Sequence, residues 1–313
     1  MSRVLITSIG SASAECVIVS LKKHNHFIVG TNIFEKEFTF CSKYVDIFYK
    51  VTRSDSPSFI SSIIDICIKE NINYIFPLTD VEIDAFNNNR ELFVKNNIII
   101  CFSNYECINK CRNKRIASEI VSELNICNVP NEINGEKLIN HFPIVRKKIN
   151  GRSSEGLSLI YSYEDYLDIL KHNCLEDFIF QEYIEGNIIT VDLLRHNKNI
   201  ISIAREEHVR TSNGLGLSIN TFYDPVLENI VDKIANALDI EGCVNFEFIK
   251  TSKQEYYFLE CNPRFSGGIN FSVLSGYDFV NNHLSCFNAG HIESNDSIVY
   301  QIINRYYKDY IYS

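Results

Sequence analysis

Val244-Asn245-Phe246-Glu247-Phe248 and Tyr257-Phe258-Leu259-Glu260-Cys261-Asn262-Pro263-Arg264 flank a polar stretch, Thr251 to Glu255. Two β-favouring runs around a polar turn read as a hairpin. Alternate residues of a strand share a face, so Glu260 and Asn262 point the same way. With the turn centred near Lys253, Glu247 falls almost opposite Glu260. Two carboxylates and one amide oxygen then gather on one side. The other side reads as a core face of Val244, Phe246, Phe248, Tyr257, Leu259 and Cys261. Acids crowded against such a core are costly unless a cation neutralises them. An all-oxygen donor set suits Mg²⁺ rather than zinc. A solvated acidic sheet edge is the plainer reading of the same residues.

Upstream lies Phe142-Pro143-Ile144-Val145-Arg146-Lys147-Lys148, followed by Gly151-Arg152-Ser153-Ser154-Glu155-Gly156. Strand alternation puts Val145 and Lys147 on one face and Arg146 and Lys148 on the other. A Gly/Ser loop offers backbone N–H groups to phosphate oxygens, and a neighbouring lysine adds a point charge. The segment lacks the Gly-Lys-Ser/Thr of a Walker loop, and an ordinary basic hairpin fits it equally well. Between it and the hairpin, Phe180-Gln181-Glu182-Tyr183-Ile184 is an apolar strand running into a short linker, Glu185-Gly186. Alone it is unremarkable.

The N-terminal third alternates strands and helices. Val4 to Ser8, Phe27 to Thr31, Tyr74 to Pro77 and Ile98 to Phe102 read as strands. Glu15 to Lys23, Pro57 to Glu70 and Asp84 to Asn96 read as helices. This β-α-β order predicts a parallel sheet with helices on both faces. Sites in such sheets lie beyond the carboxyl ends of the strands, here Ser8 to Ser13 and Leu78 to Glu82. Gly10-Ser11-Ala12-Ser13 lacks the three-glycine dinucleotide fingerprint and reads equally as a strand–helix turn with a Ser cap. Further on, Asn113 to Leu124, Glu164 to Asn173 and Pro225 to Leu238 read as helices. Leu157 to Tyr161, Phe178 to Tyr183, Ile188 to Leu194 and Ile200 to Glu206 read as strands. The last third is antiparallel in pattern.

The 313 residues suffice for two or three lobes. With 45% hydrophobic and 22% charged residues, the composition is that of a globular protein. A net charge of −9 argues against a nucleic-acid surface, but leaves room for a local basic pocket. No apolar run is long enough for a bilayer, and Met1 to Ile6 runs straight into a strand rather than a signal peptide. A cytoplasmic location is the default expectation, with no membrane partner. The eleven cysteines show no Cys-x-x-Cys and no zinc spacing. Cys107 and Cys111 share a helix face and read as packing. An odd number of thiols fits a reducing compartment.

Taken in order, these segments resemble the ATP-grasp superfamily, in its carbamoyl-phosphate-synthase-like and amino-acid-ligase branch. The resemblance spans nearly the whole chain. Glu260-Cys261-Asn262-Pro263-Arg264 resembles the family's Glu-x-Asn-Pro-Arg signature, and Asn245-Phe246-Glu247 its partner metal strand. Pro143 to Lys147 with the Gly151–Gly156 loop resembles the lysine strand and flexible phosphate loop. Asn113-Lys114 resembles the earlier nucleotide lysine, and Gln181 to Ile184 the adenine hinge. Pro77-Leu78-Thr79-Asp80-Val81-Glu82 resembles a Pro-x-x-Asp-x-Glu stretch of the preceding domain. One departure stands out: where the family usually has a ribose-binding Glu, this chain has Ile188.

The resemblance implies an α/β (α+β) chain. A Rossmann-like parallel sheet over 1–105 precedes an ATP-grasp lid subdomain over 106–183 and a central and C-terminal subdomain over 184–313. It implies ATP on Lys114, Lys147, Ser153, Ser154, Gly156, Gln181, Glu182, Tyr183 and Ile184. It implies Mg²⁺, with Mn²⁺ as substitute, on Glu247, Glu260 and Asn262. Arg264 and Lys147 are the implied catalytic residues. Arg264, Ser266, Gly267, Gly268, Asp80 and Glu82 are the implied substrate contacts. Arg205 and Arg210 are weaker candidates, read first as surface charge. The implied reaction joins a small-molecule carboxylate to an amine through an acyl phosphate, releasing ADP and phosphate. The alternatives are a non-catalytic ATP sensor and a bicarbonate-activating, carboxyphosphate-forming enzyme. A homodimer follows by family analogy only.

Overall fold

The computed structural model describes residues 1–133, 142–152, 155–172, 175–294 and 298–311. Its first unit is a parallel sheet of β1 (Arg3–Ile6), β2 (Phe27–Asn32), β3 (Ile47–Lys50), β4 (Tyr74–Phe76) and β5 (Ile99–Ile100), ordered β3-β2-β1-β4-β5. Its helices are α1 (Ala14–Lys23), α2 (Phe59–Lys69), α3 (Asp80–Asn87) and α4 (Arg90–Lys95). α2 to α4 bury Phe59, Ile63, Phe86 and Phe93 on one face of the sheet, with Leu5, Val29 and Ile75. α1 packs on the other face beneath Val4, Ile6 and Ile28. This is the arrangement the alternating pattern predicts.

Two local readings need correction. The expected helix over Asp84 to Asn96 is two helices, because Asn88 and Asn89 leave helical continuity and Asn89 starts α4. Ser13 stands at the start of α1, but its side chain caps no backbone N–H.

α5 (Tyr105–Arg112) and α6 (Lys114–Leu124) follow, each begun by an asparagine whose side chain accepts backbone N–H bonds: Asn104 from Cys107, Asn113 from Arg115 and Ile116. β6 (Ile144–Lys148), β7 (Ser158–Ile160), α7 (Tyr163–His172) and β8 (Phe178–Glu182) form a small lobe, with an antiparallel sheet ordered β7-β6-β8. Its core is small: Ile133, Ile144, Ile160, Phe178 and Phe180.

The remaining elements are β9 (Asn187–His196), β10 (Asn199–Arg210), β11 (Gly216–Phe222), α8 (Pro225–Ala237), β12 (Gly242–Lys250), β13 (Tyr256–Asn262), α9 (Ile269–Leu274), α10 (Phe279–Phe287) and β14 (Ile302–Asn304). The strands make one antiparallel sheet, β13-β12-β9-β10-β11-β14. One face buries Ile189, Val191, Leu193, Val244, Phe246 and Phe248 against α6 and α8. The opposite face carries Thr190, Asp192, Arg205, Asn245 and Glu247, and all of these but the fully buried Asp192 line a cleft. Leu194 and Ile203 at its far end join Phe265, Phe279 and Leu284 against α1, so one core ties the first unit to the large sheet. Among the described residues, no helix is long and apolar enough to cross a membrane.

Candidate active site

A cleft of about 730 Å³ lies where the three sheets meet. Its floor is the polar face of the large sheet, and strand register explains which side chains stand there. Glu260 on β13 is paired with Glu247 on β12, and Glu247 in turn with Thr190 on β9. Thr190 is paired with Arg205 on β10. One residue row thus runs Glu260, Glu247, Thr190, Arg205. A second row runs Asn262, Asn245, Asp192.

The hairpin reading places the acids as expected and the core face only in part. A register shift follows the Glu247–Glu260 pair, so Phe248 is opposite Phe258. The extra residue, Leu259, turns toward the cleft and the alternation flips. Tyr256 and Phe258 are therefore buried in the core, not Tyr257 and Leu259.

Asn262 donates its amide to Glu260 Oε1 at 3.0 Å and to Asn245 Oδ1 at 3.3 Å. Burial pushes both carboxyls up, and the pair then splits. Glu247 is held above the usual carboxylate range by burial and by the Glu260 charge. Glu260 is drawn below it, because Lys114, Asn262 and Lys147 outweigh the burial cost. Lys114 Nζ sits 3.0 Å from Glu260 Oε2 and donates to the Gly151 carbonyl at 2.7 Å. A lysine in the first turn of α6 opposes the helix dipole, so Glu260 is what holds it there.

Lys147 comes from the small lobe. Its Nζ donates to the Leu259 carbonyl at 3.4 Å, and burial, aided by Lys114, lowers its pKa to about 8. The alternation on β6 holds in part: Val145 and Lys147 face the cleft and Arg146 lies over the Phe178 ring at 4.1 Å, but Lys148, read on the Arg146 face, also lines the cleft. Lys148 pairs with Glu155 at 2.5 Å.

Gln181, Glu182, Tyr183 and Ile184 line the far wall. Gln181 donates its amide to the Pro130 carbonyl at 3.1 Å. The Glu182 carboxylate is taken by the backbone and side chain of Asn131 at 2.8 and 2.7 Å. Ile188 also lines the cleft, at the position where a ribose acid is expected. Ser153 and Ser154 lie outside the described residues. Gly156 forms a turn at φ +71°, where an added Cβ would meet Phe178 at 3.1 Å, and it is not among the lining residues.

The tentative substrate contacts divide. Arg264 faces the cleft, but its fork is filled by Asp80: Nε and Nη2 lie 3.0 and 2.9 Å from the two carboxylate oxygens. Arg264 Nη1 donates to the Phe265 carbonyl. Arg112 adds a 3.7 Å contact to Asp80 and a fork onto Asp84. The Arg264 fork is thus engaged by a carboxylate of the chain itself. Glu82 does not reach the cleft. It is buried, accepting bonds from the Thr7 and Thr79 hydroxyls at 2.9 and 2.8 Å. Ser266, Gly267 and Gly268 do line the cleft.

The surface-charge reading of Arg205 and Arg210 also fails. Arg205 is 1% exposed and bonds Asp192 Oδ2 at 2.6 Å, Glu207 Oε1 at 3.2 Å and Ser266 Oγ at 3.2 Å. Arg210 pairs with Glu207 at 2.7 Å and approaches Glu247 at 3.5 Å. A chain of alternating charges, Asp192, Arg205, Glu207, Arg210, Glu247, thus crosses the floor. Sequence reasoning missed Asp192 and Glu207. The signal was an acid inside the apolar run Ile188 to Leu194, which demands a buried partner on a neighbouring strand.

Residues 174–305 match the family described as ATP-grasp in the biosynthetic pathway with Ter operon, and residues 4–101 match the PylC-like N-terminal domain. The chain thus carries an ATP-grasp domain behind a PylC-like N-terminal domain. Among particular proteins, it is 26% identical over 192 residues to the carbamoyl phosphate synthase large chain of Clostridium acetobutylicum, covering 55% of this chain and 18% of that one. The chain therefore spans less than a fifth of that relative.

Many solved structures share the fold, among them these two. One is the biotin carboxylase domain of Hydrogenobacter thermophilus 2-oxoglutarate carboxylase, in complex with MgADP, ADP and bicarbonate. It has 19% identity, a TM-score of 0.77, and coverage of 96% of this chain and 73% of that one. The other is the L-amino acid ligase of Bacillus licheniformis, with 13% identity, a TM-score of 0.71 and coverage of 91% and 73%. At these identities the likeness establishes the fold alone.

Proposed function

We propose that the protein is an ATP-dependent carboxylate–amine ligase of amino-acid type, working through an acyl phosphate. The observation that carries this reading is the Glu247–Glu260 pair with Asn262 beside it. Lys114 and Lys147 reach the same cleft from two other elements.

The donor set fits a hard divalent cation. It is all oxygen, and it crowds two acids whose repulsion a cation relieves. Glu247, Glu260 and Asn262 would hold Mg²⁺, which when bound spreads the negative charge of the β- and γ-phosphates. Lys114 and Lys147 would bind those phosphates. Lys147 is still mostly protonated at neutral pH despite its burial. The segment Gln181 to Ile184 would take the adenine through backbone groups, since Gln181 and Glu182 spend their side chains elsewhere.

The acceptor would lie between Ser266–Gly268 and Ser11–Ser13, near Asp80 and Arg264. Its carboxylate oxygen attacks the γ-phosphorus and ADP leaves. An amine nitrogen then attacks the acyl carbon, phosphate leaves with the bonding pair, and the nitrogen loses a proton. Water competes at that second step, so apolar walls such as Leu159, Leu215, Ile249 and Leu259 serve to exclude it.

ADP release should be measured across pairs of amino acids with Mg²⁺ and ATP, with Glu260→Gln as control. Release that needs an amino-acid pair and vanishes in the control supports the ligase. Release on bicarbonate alone replaces it with carboxyphosphate chemistry. ATP binding without acceptor-dependent release replaces it with a sensor.

A further inference from the structure

Outside the cleft, three elements bring together an imidazole, a carboxylate and a thiol. His196 ends β9, Glu241 precedes β12, and Cys286 lies in α10. His196 Nδ1 is 2.6 Å from Glu241 Oε1. One donor atom from each of the three residues lies within 4.8 Å of the other two. We propose that His196, Glu241 and Cys286 form a binding site for a borderline-soft divalent metal ion of the zinc class, separate from the magnesium-type site in the cleft.

The donor chemistry selects the metal. Nitrogen, oxygen and sulfur together suit zinc and its first-row neighbours, whereas magnesium and calcium prefer oxygen alone. A tetrahedral ion with bonds of about 2.0–2.3 Å spaces its ligands roughly 3.5 Å apart. His196 Nδ1 and Glu241 Oε1, at 2.6 Å, stand closer than that, so their hydrogen bond must open to admit the ion, while no pair of donors is wider than 4.8 Å.

An ion can also reach the site. The His196 and Glu241 side chains keep 16% and 32% of their exposure, while Cys286 is 8% exposed at the back. Elsewhere among the described residues, no other group of three His, Cys, Asp or Glu donors is gathered this closely. Cys286 donates to the Asn282 carbonyl of its own helix at 3.2 Å, a bond the thiol gives up when it ligates as thiolate. A bound ion would pin α10 to the junction of β9 and β12, where the core of the first unit meets the large sheet.

The test uses Co²⁺ and Zn²⁺ alone on the reduced full chain, with excess Mg²⁺ filling the all-oxygen site. One equivalent of Co²⁺ should produce a thiolate-to-cobalt charge-transfer band, and Zn²⁺ should displace it. Cys286→Ser should abolish the band, and Glu241→Gln should weaken Zn²⁺ affinity about tenfold or more. Cys127→Ser, removing a partly exposed cysteine outside the cluster, should leave the band unchanged. Circular dichroism of each variant verifies folding. A band that survives in Cys286→Ser, or no stoichiometric band in the native chain, overturns the proposal. ATP turnover is not needed for the readout, so failure here leaves the ligase reading untouched.

Discussion

Asp80 and Arg264 are 184 residues apart in sequence and meet fork to fork, at 3.0 and 2.9 Å. Asp80 opens α3 of the parallel-sheet unit, and Arg264 lies two residues beyond the strand that carries Glu260 and Asn262. The pair therefore fixes one sheet relative to the acids of the other. Burial would raise the Asp80 pKa, but Arg264 and Arg112 more than offset it and leave it below the ordinary 3.8.

Asp80→Asn keeps the shape and removes the charge. Breaking a buried pair from one side costs about 3–5 kcal/mol, and the amide's remaining bonds should hold the loss near the lower figure. The denaturant midpoint should fall with unchanged slope. The native contribution is present above pH 3.8 and lost as pH falls through the lower folded-state value. An unchanged midpoint would show that Asp80 and Arg264 do not brace the two units.

Glu260→Gln removes the charge opposite Glu247 and the partner of Lys114. ADP release should drop by about 100-fold or more, the scale for losing one charged group from a preorganised site. Since Glu260 is one of the causes holding the Glu247 pKa up, Glu247 should titrate lower in the variant. Carboxyl titration followed by NMR would measure this, and a Glu247 value that stays put would contradict the coupling.

Gly268 faces a pinned neighbour. A Cβ there would lie 2.8 Å from Arg205 Nη2 and 3.0 Å from Cζ. Arg205 cannot swing away, because Asp192, Glu207 and Ser266 hold it. Gly268→Ala should cost about 1–3 kcal/mol through overpacking and should raise KM for the acceptor more than for ATP. Thermal unfolding together with separate KM values would check both parts. A neutral substitution would mean the guanidinium can yield.

His283 supplies a pH signature. It is 3% exposed, accepts from Cys243 N at 2.8 Å and reaches the Cys101 carbonyl at 2.9 Å. Burial lowers its pKa from 6.5 to about 4. Between those values the unfolded chain binds a proton that the folded chain does not, so stability falls as pH falls from 6.5 to 4. The loss approaches roughly 3 kcal/mol at the acid end. Glu247 acts oppositely: its raised pKa makes stability fall as pH rises above 4.5. Urea midpoints over this range should show the His283 part vanish in His283→Gln. An unchanged acid slope in that variant would remove the assignment.

Much of the architecture could be read from the chain because it rests on local pattern. The β-α-β alternation of residues 4–102 needs only periodicity, and the parallel sheet follows. The Glu247–Glu260 pairing needs only the turn position. The edge strand β3 was not legible: Ile47 to Lys50 is short, with a charged end and half-buried residues. β11, β14, α9 and α10 were also missed, and of α5 only the shared helix face of Cys107 and Cys111 was read. The flip at Leu259 could not be read either, because a bulge is an extra residue that alternation alone does not mark.

The sequence by itself determined which residues carry donor atoms and which strand faces they occupy, because period-two geometry is local. Only the tertiary structure decided what those groups touch. It filled the Arg264 fork with Asp80, turned Glu82 into a buried hydrogen-bond acceptor, and drew Arg205 from an expected surface charge into a pocket of acids. These outcomes depend on contacts between segments far apart in the chain. Buried charges must find partners wherever packing places them, and no spacing rule specifies where that is.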